Sequence, residues 1–395
     1  MNCLTNERLQ HVLRYAIENT EFYKKMCAAS SFDYYEFPII DKNILIDHYN
    51  DFIADCPNVQ LVKNWTSGTT GQPILIQWTF SDFQKSYFQL WKKRKQWYNI
   101  FPNSRCLTFH ASTINEVGDT YDNIVLNNHS LSIRKDAVFR NGYKKYLELI
   151  IEFSPEWILG APSLILELIS FLQLEGVSLP TLKYIELNGE TVQAHTQKYI
   201  QNYFNVATSN LYGSIEFNGI ALSCPKGKLH ILDENVWVES YNGELLVTSL
   251  SNKLMPLIRY RIGDQGNIKN EICDCGLVSH IVSDLNGRNS ENIIINNYRI
   301  PKSIFSRLIE EMNMITEKVK QYQIIVNSDE SIVYLKLLVE KQFERELQIS
   351  KKFFLDKLYS FTSNIDNIRY DILFVNDTSD FLQKKSMKLQ EIVYI

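Results

Sequence analysis

The sequence predicts an α/β protein with a β subdomain, followed by a small α+β domain, and three patterns along its 395 residues carry that prediction. Between about 105 and 216, short apolar runs alternate with helical patterns, which is typical of βαβ units with parallel strands. From Gly219, short strand-like segments are separated by glycine and asparagine turns, which predicts a compact β subdomain over 219–286. The last hundred residues alternate helix and strand in a length that suits a self-contained domain.

The elements of the first part follow in order from hydrophobic periodicity and capping signals. The N-terminal segment has a helical period, and its apolar face consists of Leu9, Val12, Leu13 and Ala16. The stretch FPIIDKNIL predicts a turn into a short helix capped near Asp41. Further helices are predicted at 81–98, 144–153, 163–174 and 192–204, and strands at 105–112, 157–162, 184–190 and up to 216.

The second part divides into the β subdomain and the C-terminal domain. The strand-like segments of the subdomain are KLHILDENVWVES, GELLVTSL and PLIRYRIGDQGNI. Beyond them we expect helices at 302–312 and 343–359 and strands at 321–326, 332–339 and 370–374. The stretch near 288–291 is short and polar, as a hinge requires. We therefore predict two domains, 1–288 and 289–395.

Composition and charge argue against several classes of protein. Apolar residues make up 45% of the chain and charged residues 22%, which are ordinary values for a globular protein. The net charge is −4 and there is no basic tract, so we expect no nucleic-acid partner. No run of about 18 uncharged apolar residues predicts a membrane span, and the charged N-terminal segment lacks a signal-peptide pattern, so cytoplasm is the expected location. Seven cysteines in such a chain favour free thiols or metal ligation over disulfides.

The segment TSGTTGQP at 66–73 has the composition of a phosphate-binding loop. Its glycines permit positive φ and bring backbone N–H groups close to an anion, and its threonine and serine hydroxyls add donors. The string fits neither the Walker pattern nor the dinucleotide GxGxxG spacing. Taken alone, it is equally compatible with a polar surface turn.

Four further strings follow the loop in order: NLYGSIE at 210–216, RYRIGD at 259–264, GRNSENIII from 287 and SMKLQEIV from 386. The complete set resembles the adenylate-forming superfamily of acyl-CoA synthetases, peptide-synthetase adenylation domains and luciferase. It most closely resembles the phenylacetate:CoA ligase-like branch. The resemblance covers nearly the whole chain and implies a large N-terminal adenylation domain of βαβ layers with a β subdomain, plus a small mobile C-terminal domain.

The resemblance also implies an activity. A ligase of this kind uses ATP and Mg²⁺ to convert a small carboxylic acid, here aromatic or apolar, to an acyl-adenylate. It then passes the acyl group to a thiol, with CoA as the first choice. A carrier protein's phosphopantetheine arm, an amine acceptor and a non-catalytic nucleotide- or acyl-binding relative stay open, as does assembly into a homodimer. No membrane partner is expected.

Four residues are assigned to the nucleotide and its metal by the resemblance. Glu216 matches the glutamate that binds Mg²⁺, and a carboxylate suits this hard cation. Tyr212 matches the aromatic residue that stacks on adenine, and Asp264 matches the acid that accepts hydrogen bonds from the ribose hydroxyls. Arg288 matches the arginine at the domain junction, where a planar guanidinium suits ribose and phosphate oxygens. The structural alternatives are a surface glutamate, a core tyrosine and a turn-forming aspartate.

A lysine near the C-terminus is assigned to catalysis in the same way. Lys388 in SMKLQE matches the lysine that bridges the substrate carboxylate and the α-phosphate during adenylation. Met387 stands where glycine is usual and Glu391 where a basic residue is usual, so Lys384 or Lys385 is an alternative, and a solvated surface lysine is another.

The complete set of predicted site residues also includes the loop and two further turns. Gln72 stands where the phosphate loop often has lysine, which leaves less positive charge at the phosphates. The predicted catalytic residues are Lys388, Glu216 and Thr66. The predicted nucleotide-binding residues are Ser67, Gly68, Thr69, Thr70, Gly71, Gly189, Glu190, Tyr212, Gly213, Ser214, Asp264 and Arg288.

Two short clusters in predicted turns of the β subdomain contain soft or borderline metal ligands. Cys224 and His230 lie in CPKGKLH, and Cys273 and Cys275 lie in CDCG. Four such ligands predict a tetrahedral structural Zn²⁺ site that leaves no position for substrate. Several proteins of the phenylacetate:CoA ligase-like branch have a similar arrangement. The alternative is a set of buried thiols with a satisfied histidine.

Overall fold

The computed structural model describes most of the chain. The described residues are 6–27, 32–55, 59–66, 74–110, 124–135, 138, 143–288, 292–296, 298–301, 304–305, 308–309, 312, 319–362, 367–377, 380–381 and 392–395. Within these ranges, no helix is long and apolar enough to cross a membrane.

Helices and strands alternate in the first half and strands dominate afterwards. The α-helices are α1 (Glu7–Asn19), α2 (Glu21–Met26), α3 (Lys42–Asp47), α4 (Phe80–Ser86), α5 (Phe88–Tyr98), α6 (Leu147–Phe153), α7 (Pro162–Glu175), α8 (Ala194–Phe204) and α9 (Glu344–Phe361). The strands are β1 (Leu61–Trp65), β2 (Leu75–Thr79), β3 (Cys106–His110), β4 (Ile124–Leu126), β5 (Ser130–Arg134), β6 (Trp157–Gly160), β7 (Tyr184–Asn188), β8 (Ala207–Ser214), β9 (Asn218–Ser223), β10 (Leu229–Ile231), β11 (Val236–Tyr241), β12 (Glu244–Ser249), β13 (Tyr260–Ile272), β14 (Val278–Arg288), β15 (Asn292–Ile295), β16 (Tyr298–Pro301), β17 (Val319–Asn327), β18 (Ile332–Val339), β19 (Arg369–Val375) and β20 (Ile392–Tyr394).

The chain divides into two compact units, of which the first comprises residues 1–102 and 209–289. Its main sheet has the strand order β11-β12-β13-β14-β10-β9-β8, with antiparallel neighbours. The apolar face of α1 predicted from the sequence is buried in this unit's core together with Tyr23, Phe52 and Trp78. The predicted cap of α3 is confirmed, since Asp41 Oδ1 accepts hydrogen bonds from the N–H groups of Asn43 and Ile44.

The second unit comprises residues 103–208 and 290–395. Strands β7, β6, β3 and β5 lie side by side and parallel, and β4 pairs antiparallel with β5 at the edge. Leu107, Ile158 and Ile185 lie in register on neighbouring strands and are fully buried. Their face packs on the apolar side chains of α7. The parallel βαβ arrangement predicted from alternating apolar runs is therefore confirmed.

A second sheet in this unit has the order β19-β18-β17-β20. It packs with α9 around a core of its own that includes Phe305, Tyr322, Leu335 and Phe354. We call β17, β18, α9, β19 and β20 the C-terminal lobe. The strands predicted at 321–326 and 370–374 are present as the slightly longer β17 and β19, and the strand predicted at 332–339 is β18. The helix predicted at 343–359 is α9, which begins one residue later and ends two residues later. The helix predicted at 302–312 lies largely outside the described residues.

The aromatic-rich stretch predicted as one helix over 81–98 is two helices, so that prediction is wrong. Helix α4 begins after Thr79, whose hydroxyl oxygen accepts from the Asp82 N–H at 3.1 Å, and it ends at Ser86. Tyr87 lies between the helices, and its ring packs edge-on against Phe83 with centroids 5.3 Å apart. This local packing redirects the chain without glycine or proline, the residues that usually mark such a break in a sequence.

Candidate active site

The strands on either side of the predicted phosphate loop pair antiparallel, which the sequence did not predict. Strands β1 and β2 pair from Leu61↔Thr79 to Trp65↔Leu75. Thr66 closes the base, because its N–H donates to the Ile74 carbonyl at 2.9 Å and its hydroxyl oxygen accepts from the Ile74 N–H at 2.8 Å. The remaining loop residues, Ser67, Gly68, Thr69, Thr70, Gly71 and Gln72, lie outside the described residues, so their role stays a prediction.

Three of the sequence motifs meet at one place in the first unit. The Tyr212 hydroxyl on β8 donates to Asp264 Oδ2 on β13 at 2.8 Å, across 52 residues of sequence. Asp264 is in turn the backbone partner of Arg288 on β14. The Tyr212 ring packs partly against the core of this unit, so the core-tyrosine alternative also describes part of its environment. These contacts bring the predicted adenine, ribose and nucleotide-arginine positions together.

Glu216 lies in the turn between β8 and β9, beside the same cluster. The Tyr260 hydroxyl, at the start of β13, donates to Glu216 Oε1 at 3.5 Å. This is a long hydrogen bond that leaves the carboxylate with acceptor capacity for a cation. The Ser214 hydroxyl oxygen is buried and has no hydrogen-bond partner among the described residues, as expected where a polar ligand is to bind.

Steric crowding explains why the NLYGSIE motif has glycine at position 213. A Cβ on Gly213 would lie 2.1 Å from the Asn218 carbonyl oxygen, a distance that no side chain tolerates. The pairing of β8 with β9 shifts register at this position. Gly213 therefore allows the tight bulge that carries the chain from Tyr212 into the Glu216 turn.

Arg259 anchors the strand that holds Tyr260 and Asp264, and the sequence analysis missed it. Its backbone has φ of 51°, which is strained for a residue other than glycine. The side chain is 6% exposed, forms an ion pair with Glu239 at 2.8 Å and donates to the carbonyls of Tyr35 and Phe37 at 3.1 and 3.0 Å. Such a buried, multiply bonded arginine fixes where β13 begins. The sequence signal for this anchoring role was the position of Arg259 inside the RYRIGD motif.

The remaining predicted residues are in the second unit or outside the described residues. Gly189 has φ of 79° in the turn after β7. The Glu190 carboxylate accepts from the Ser163 N–H at 3.1 Å and from its hydroxyl at 2.7 Å, at the first turn of α7. This is a helix-capping role, and nucleotide binding by these two residues stays a prediction. Lys388 and its alternatives Lys384 and Lys385 are not among the described residues.

The four predicted zinc ligands come together in the first unit. The ligand atoms of Cys224, His230, Cys273 and Cys275 all lie within 4.8 Å of one another. The Cys224 and Cys273 sulfurs are 3.8 Å apart, and Cys275 Sγ is 3.4 Å from His230 Nε2. A tetrahedron with Zn–S bonds of about 2.3 Å and a Zn–N bond of about 2.0 Å has edges of about 3.8 and 3.5 Å. The donor set and its spacing therefore fit a tetrahedral metal.

Two equivalent turns present the cysteines. In each, a glycine three residues after the cysteine has positive φ, 78° at Gly227 and 88° at Gly276, and its N–H donates to the cysteine carbonyl at 2.8 Å. The shared pattern is Cys-x-x-Gly, which was the signal available in CPKG and CDCG. His230 differs from the prediction, since it lies in strand β10 and not in a turn.

The orientation of His230 is fixed from its other ring nitrogen. Nδ1 lies 2.5 Å from the Ser279 hydroxyl oxygen, which leaves Nε2 directed to the cysteines. Burial and the nearby Lys93 lower the pKa of His230, which favours the neutral imidazole that binds metals. The Trp97 ring lies against His230 with centroids 5.4 Å apart.

Comparison with known proteins agrees with the motif resemblance. No protein-family model matches the chain. Phenylacetate-coenzyme A ligase of Thermus thermophilus is 24% identical over 380 residues, covering 88% of this chain and 83% of the relative. The solved structure of 2-hydroxyisobutyryl-CoA ligase in the postadenylation state, with 2-HIB-AMP, matches with a TM-score of 0.75 and 14% identity over 98% of this chain and 88% of that chain. The same ligase in the thioesterification state, with 2-HIB-AMP and CoA, matches with a TM-score of 0.61 and 15% identity over the same shares.

Sequence similarity over most of both chains and a shared fold point the same way as the motifs. The chain is similar to phenylacetate-coenzyme A ligases over most of its length and has the fold of the acyl-CoA ligases.

Proposed function

We propose that this protein is an acid–thiol ligase that uses ATP and Mg²⁺ to convert a small carboxylic acid to an acyl-adenylate and then transfers the acyl group to CoA. The observation that carries the proposal is the contact between Tyr212 and Asp264, with the backbone of Arg288 paired to Asp264. It brings an aromatic ring, an ionised acceptor and the arginine position of three separate motifs to one site. An acid-dependent exchange of labelled pyrophosphate into ATP tests it.

The residues of this site suit the first half-reaction. Asp264 accepts hydrogen bonds from ribose hydroxyls, and Tyr212 holds that carboxylate in place while its ring contacts the base. Glu216 provides a carboxylate for Mg²⁺, which neutralises phosphate charge when bound. The substrate carboxylate then attacks the α-phosphorus and pyrophosphate leaves. Lys388 stabilises the charge that develops between the two reacting groups.

The acid and the acceptor are proposed from the branch. An aromatic or small apolar acid is the first choice, and CoA is preferred to a carrier protein or an amine. His110, near the end of β3, is a candidate for the acid pocket, and its Nδ1 lies 2.8 Å from the Ser132 hydroxyl oxygen. A screen of carboxylic acids by pyrophosphate release, with product analysis, identifies both partners. If no acid supports exchange, the alternative of a non-catalytic nucleotide-binding relative is favoured. The presence of Gln72 where the phosphate loop often has lysine favours the same alternative.

We also propose a structural Zn²⁺ bound by Cys224, His230, Cys273 and Cys275. The tetrahedral spacing of the donor atoms and the fixed imidazole support it. All four positions are protein ligands, so the metal has no open position for substrate and stabilises the β subdomain instead of catalysing.

Replacing Tyr212 with phenylalanine is expected to raise the KM for ATP by about 10- to 150-fold, because Asp264 loses a hydrogen bond to a charged group worth about 1.5–3 kcal/mol. The ring remains, so stacking on adenine is retained. The measurement is pyrophosphate exchange as a function of ATP concentration. A change in kcat alone, with KM unaltered, would show that the Tyr212–Asp264 contact does not position the nucleotide.

Replacing Lys388 with alanine is expected to lower adenylation by about 100-fold, since the variant loses a charge at the reacting centre. Formation of the thioester from supplied acyl-adenylate should keep its rate, because the lysine acts in the first step alone. The two half-reactions are measured separately, with Lys384→Ala and Lys385→Ala as matched controls. Equal losses in both half-reactions, or a larger loss in either control, would assign the adenylation lysine elsewhere.

A further inference from the structure

The two faces of the parallel sheet in the second unit differ in polarity. One face, which includes Leu107 and Ile185, is apolar and packs on α7. Thr108, Leu159 and Glu186 are in register on β3, β6 and β7 and lie on the opposite face, because successive side chains of a strand alternate between faces. Parallel strands are usually apolar on both faces. The polar residues of the second face therefore need a reason.

The polar side chains of this second face lie toward the carboxyl ends of the strands. Ser132 on β5 is in register with Thr108, and His110 is the last residue of β3. His110 Nδ1 lies 2.8 Å from Ser132 Oγ, which shows that the two side chains share one face. Asn188 ends β7, two residues after Glu186. We call four of these side chains the polar face: Ser132, His110, Glu186 and Asn188. The carboxyl ends of parallel strands are where ligands of α/β proteins bind.

Burial increases inward along the polar face. His110, Ser132 and Asn188 are half-buried, whereas Glu186 is fully buried. The Tyr184 hydroxyl donates to Glu186 Oε2 at 2.9 Å, and the Tyr184 ring stacks on Trp157 with centroids 6.2 Å apart. A buried carboxylate is costly unless hydrogen-bond donors surround it. The inner end of the polar face is thus a place that favours donors.

The chemistry of these groups decides which ligand suits them. A carboxylate only accepts hydrogen bonds, whereas serine, asparagine and neutral histidine both donate and accept. An apolar ligand placed on the half-buried groups would displace their water without replacing its hydrogen bonds, which is unfavourable. A second acceptor beside Glu186 would be repelled, so a ligand group that donates is the one that fits.

We propose that the acid substrate of this protein carries a hydrogen-bond donor, a hydroxyl or an amino group, and that the polar face binds this donor. Because it names the acid of the same reaction, this inference rests on the proposed function. It narrows an aromatic or small apolar acid to one with a donor substituent. Repulsion between carboxylates directs the donor end of the acid, and not its reacting end, toward Glu186. The polar face therefore determines specificity and does not touch the reacting atoms.

The first experiment compares phenylacetic acid with its hydroxylated and aminated derivatives, substituted on the ring or next to the carboxyl group. The kcat/KM of pyrophosphate exchange for the best substituted acid should exceed that for phenylacetic acid at least about 100-fold, because a site built to bind a donor rejects analogues that lack it. The hydroxyl and amino series identify which donor is bound. If phenylacetic acid is used within about tenfold of every substituted acid, the inference is refuted.

Variants test whether the polar face causes the preference. Glu186→Gln should reduce it about tenfold, since a neutral acceptor binds a donor less strongly than a carboxylate does. Glu175→Gln, an exposed glutamate at the end of α7, is the matched control and should leave the preference unchanged. Ser132→Ala should also reduce the preference, whereas Ser130→Ala, on the same side of β5 but nearer its amino end, should not.

The outcomes separate this inference from the proposed function. A preference that survives in both Glu186→Gln and Ser132→Ala would show that other residues select the acid. Should Glu186→Gln not fold, the two serine variants decide. If no acid supports exchange, the ligase proposal fails, and stabilisation of the protein by each acid is measured instead from its unfolding temperature without ATP. Stronger stabilisation by the substituted acids then supports binding to the polar face, and equal or absent stabilisation refutes it.

Discussion

Replacing Glu216 with glutamine is expected to lower acid-dependent pyrophosphate exchange by about 100- to 1,000-fold, an effect of the size seen when one electrostatic contact to a transition state is lost. Glutamine keeps the shape and one acceptor oxygen but carries no charge for Mg²⁺. The Tyr260 hydroxyl can still donate to the amide oxygen, so the turn after β8 should keep its fold. The loss therefore reports on the carboxylate charge.

Two measurements separate metal binding from nucleotide binding. Titration with Mg²⁺ should show a raised requirement in Glu216→Gln, whereas binding of ATP without the metal should match that of the wild type. Glu36→Gln, a neutralised exposed glutamate in the same unit, is the charge control. If Glu216→Gln exchanges pyrophosphate at the wild-type rate and with the same Mg²⁺ requirement, another group holds the cation. Glu216 would then match the superfamily glutamate in position but not in metal binding.

The sequence predicted the layers of the fold because its periodicities are local. Apolar runs such as CLTFH and WILG sit between helical patterns, and they became the parallel strands β3 and β6. The break at Tyr87 and the hairpin around the phosphate loop depend on packing and on cross-strand pairing. Neither leaves a local signal, so both were missed.

In the candidate site too, residues within motifs could be predicted from the sequence, whereas contacts between distant residues could not. Motif matching identified Tyr212 and Asp264, yet only the sheet brings together two residues 52 positions apart. Tyr260 and Arg259 stand inside a recognised motif, but their roles depend on Glu216 and on the carbonyls of Tyr35 and Phe37. Residues that position other residues are therefore the hardest to recognise from a single sequence, because their partners lie far away along the chain.

Replacing Cys273 with serine is expected to lower the free energy of unfolding of the first unit by at least about 3 kcal/mol, because a structural zinc site contributes its binding energy to folding. Serine removes one of four ligands and leaves the Cys224 thiol, 3.8 Å away, without its metal-bridged partner. Zinc content should fall from about one ion per chain to much less. Thermal unfolding and metal analysis of the purified protein are the measurements.

The matched control is Cys106→Ser, since Cys106 is also a buried cysteine but lies in β3 of the second unit, away from the cluster. It should keep its zinc and should not gain sensitivity to a strong chelator. Trp97, whose ring lies against His230, gives an optical signal for the same event. Its fluorescence should change when a chelator removes zinc from the wild type, and should be nearly insensitive to chelator in Cys273→Ser.

Chelation also distinguishes the structural metal from the catalytic one. A strong chelator is expected to remove both proposed ions and to stop exchange of pyrophosphate, and excess Mg²⁺ added afterwards should supply only the carboxylate site at Glu216. If the proposal is right, the hard oxygen site should accept Mg²⁺, whereas the thiolate site of Cys224, Cys273 and Cys275 should select zinc. Adding Mg²⁺ should thus restore pyrophosphate exchange at first, whereas the unfolding temperature, lowered by the loss of zinc, should stay low. Wild-type stability in strong chelator, with no stoichiometric zinc beforehand, would show that the cluster is a set of buried thiols with a satisfied histidine.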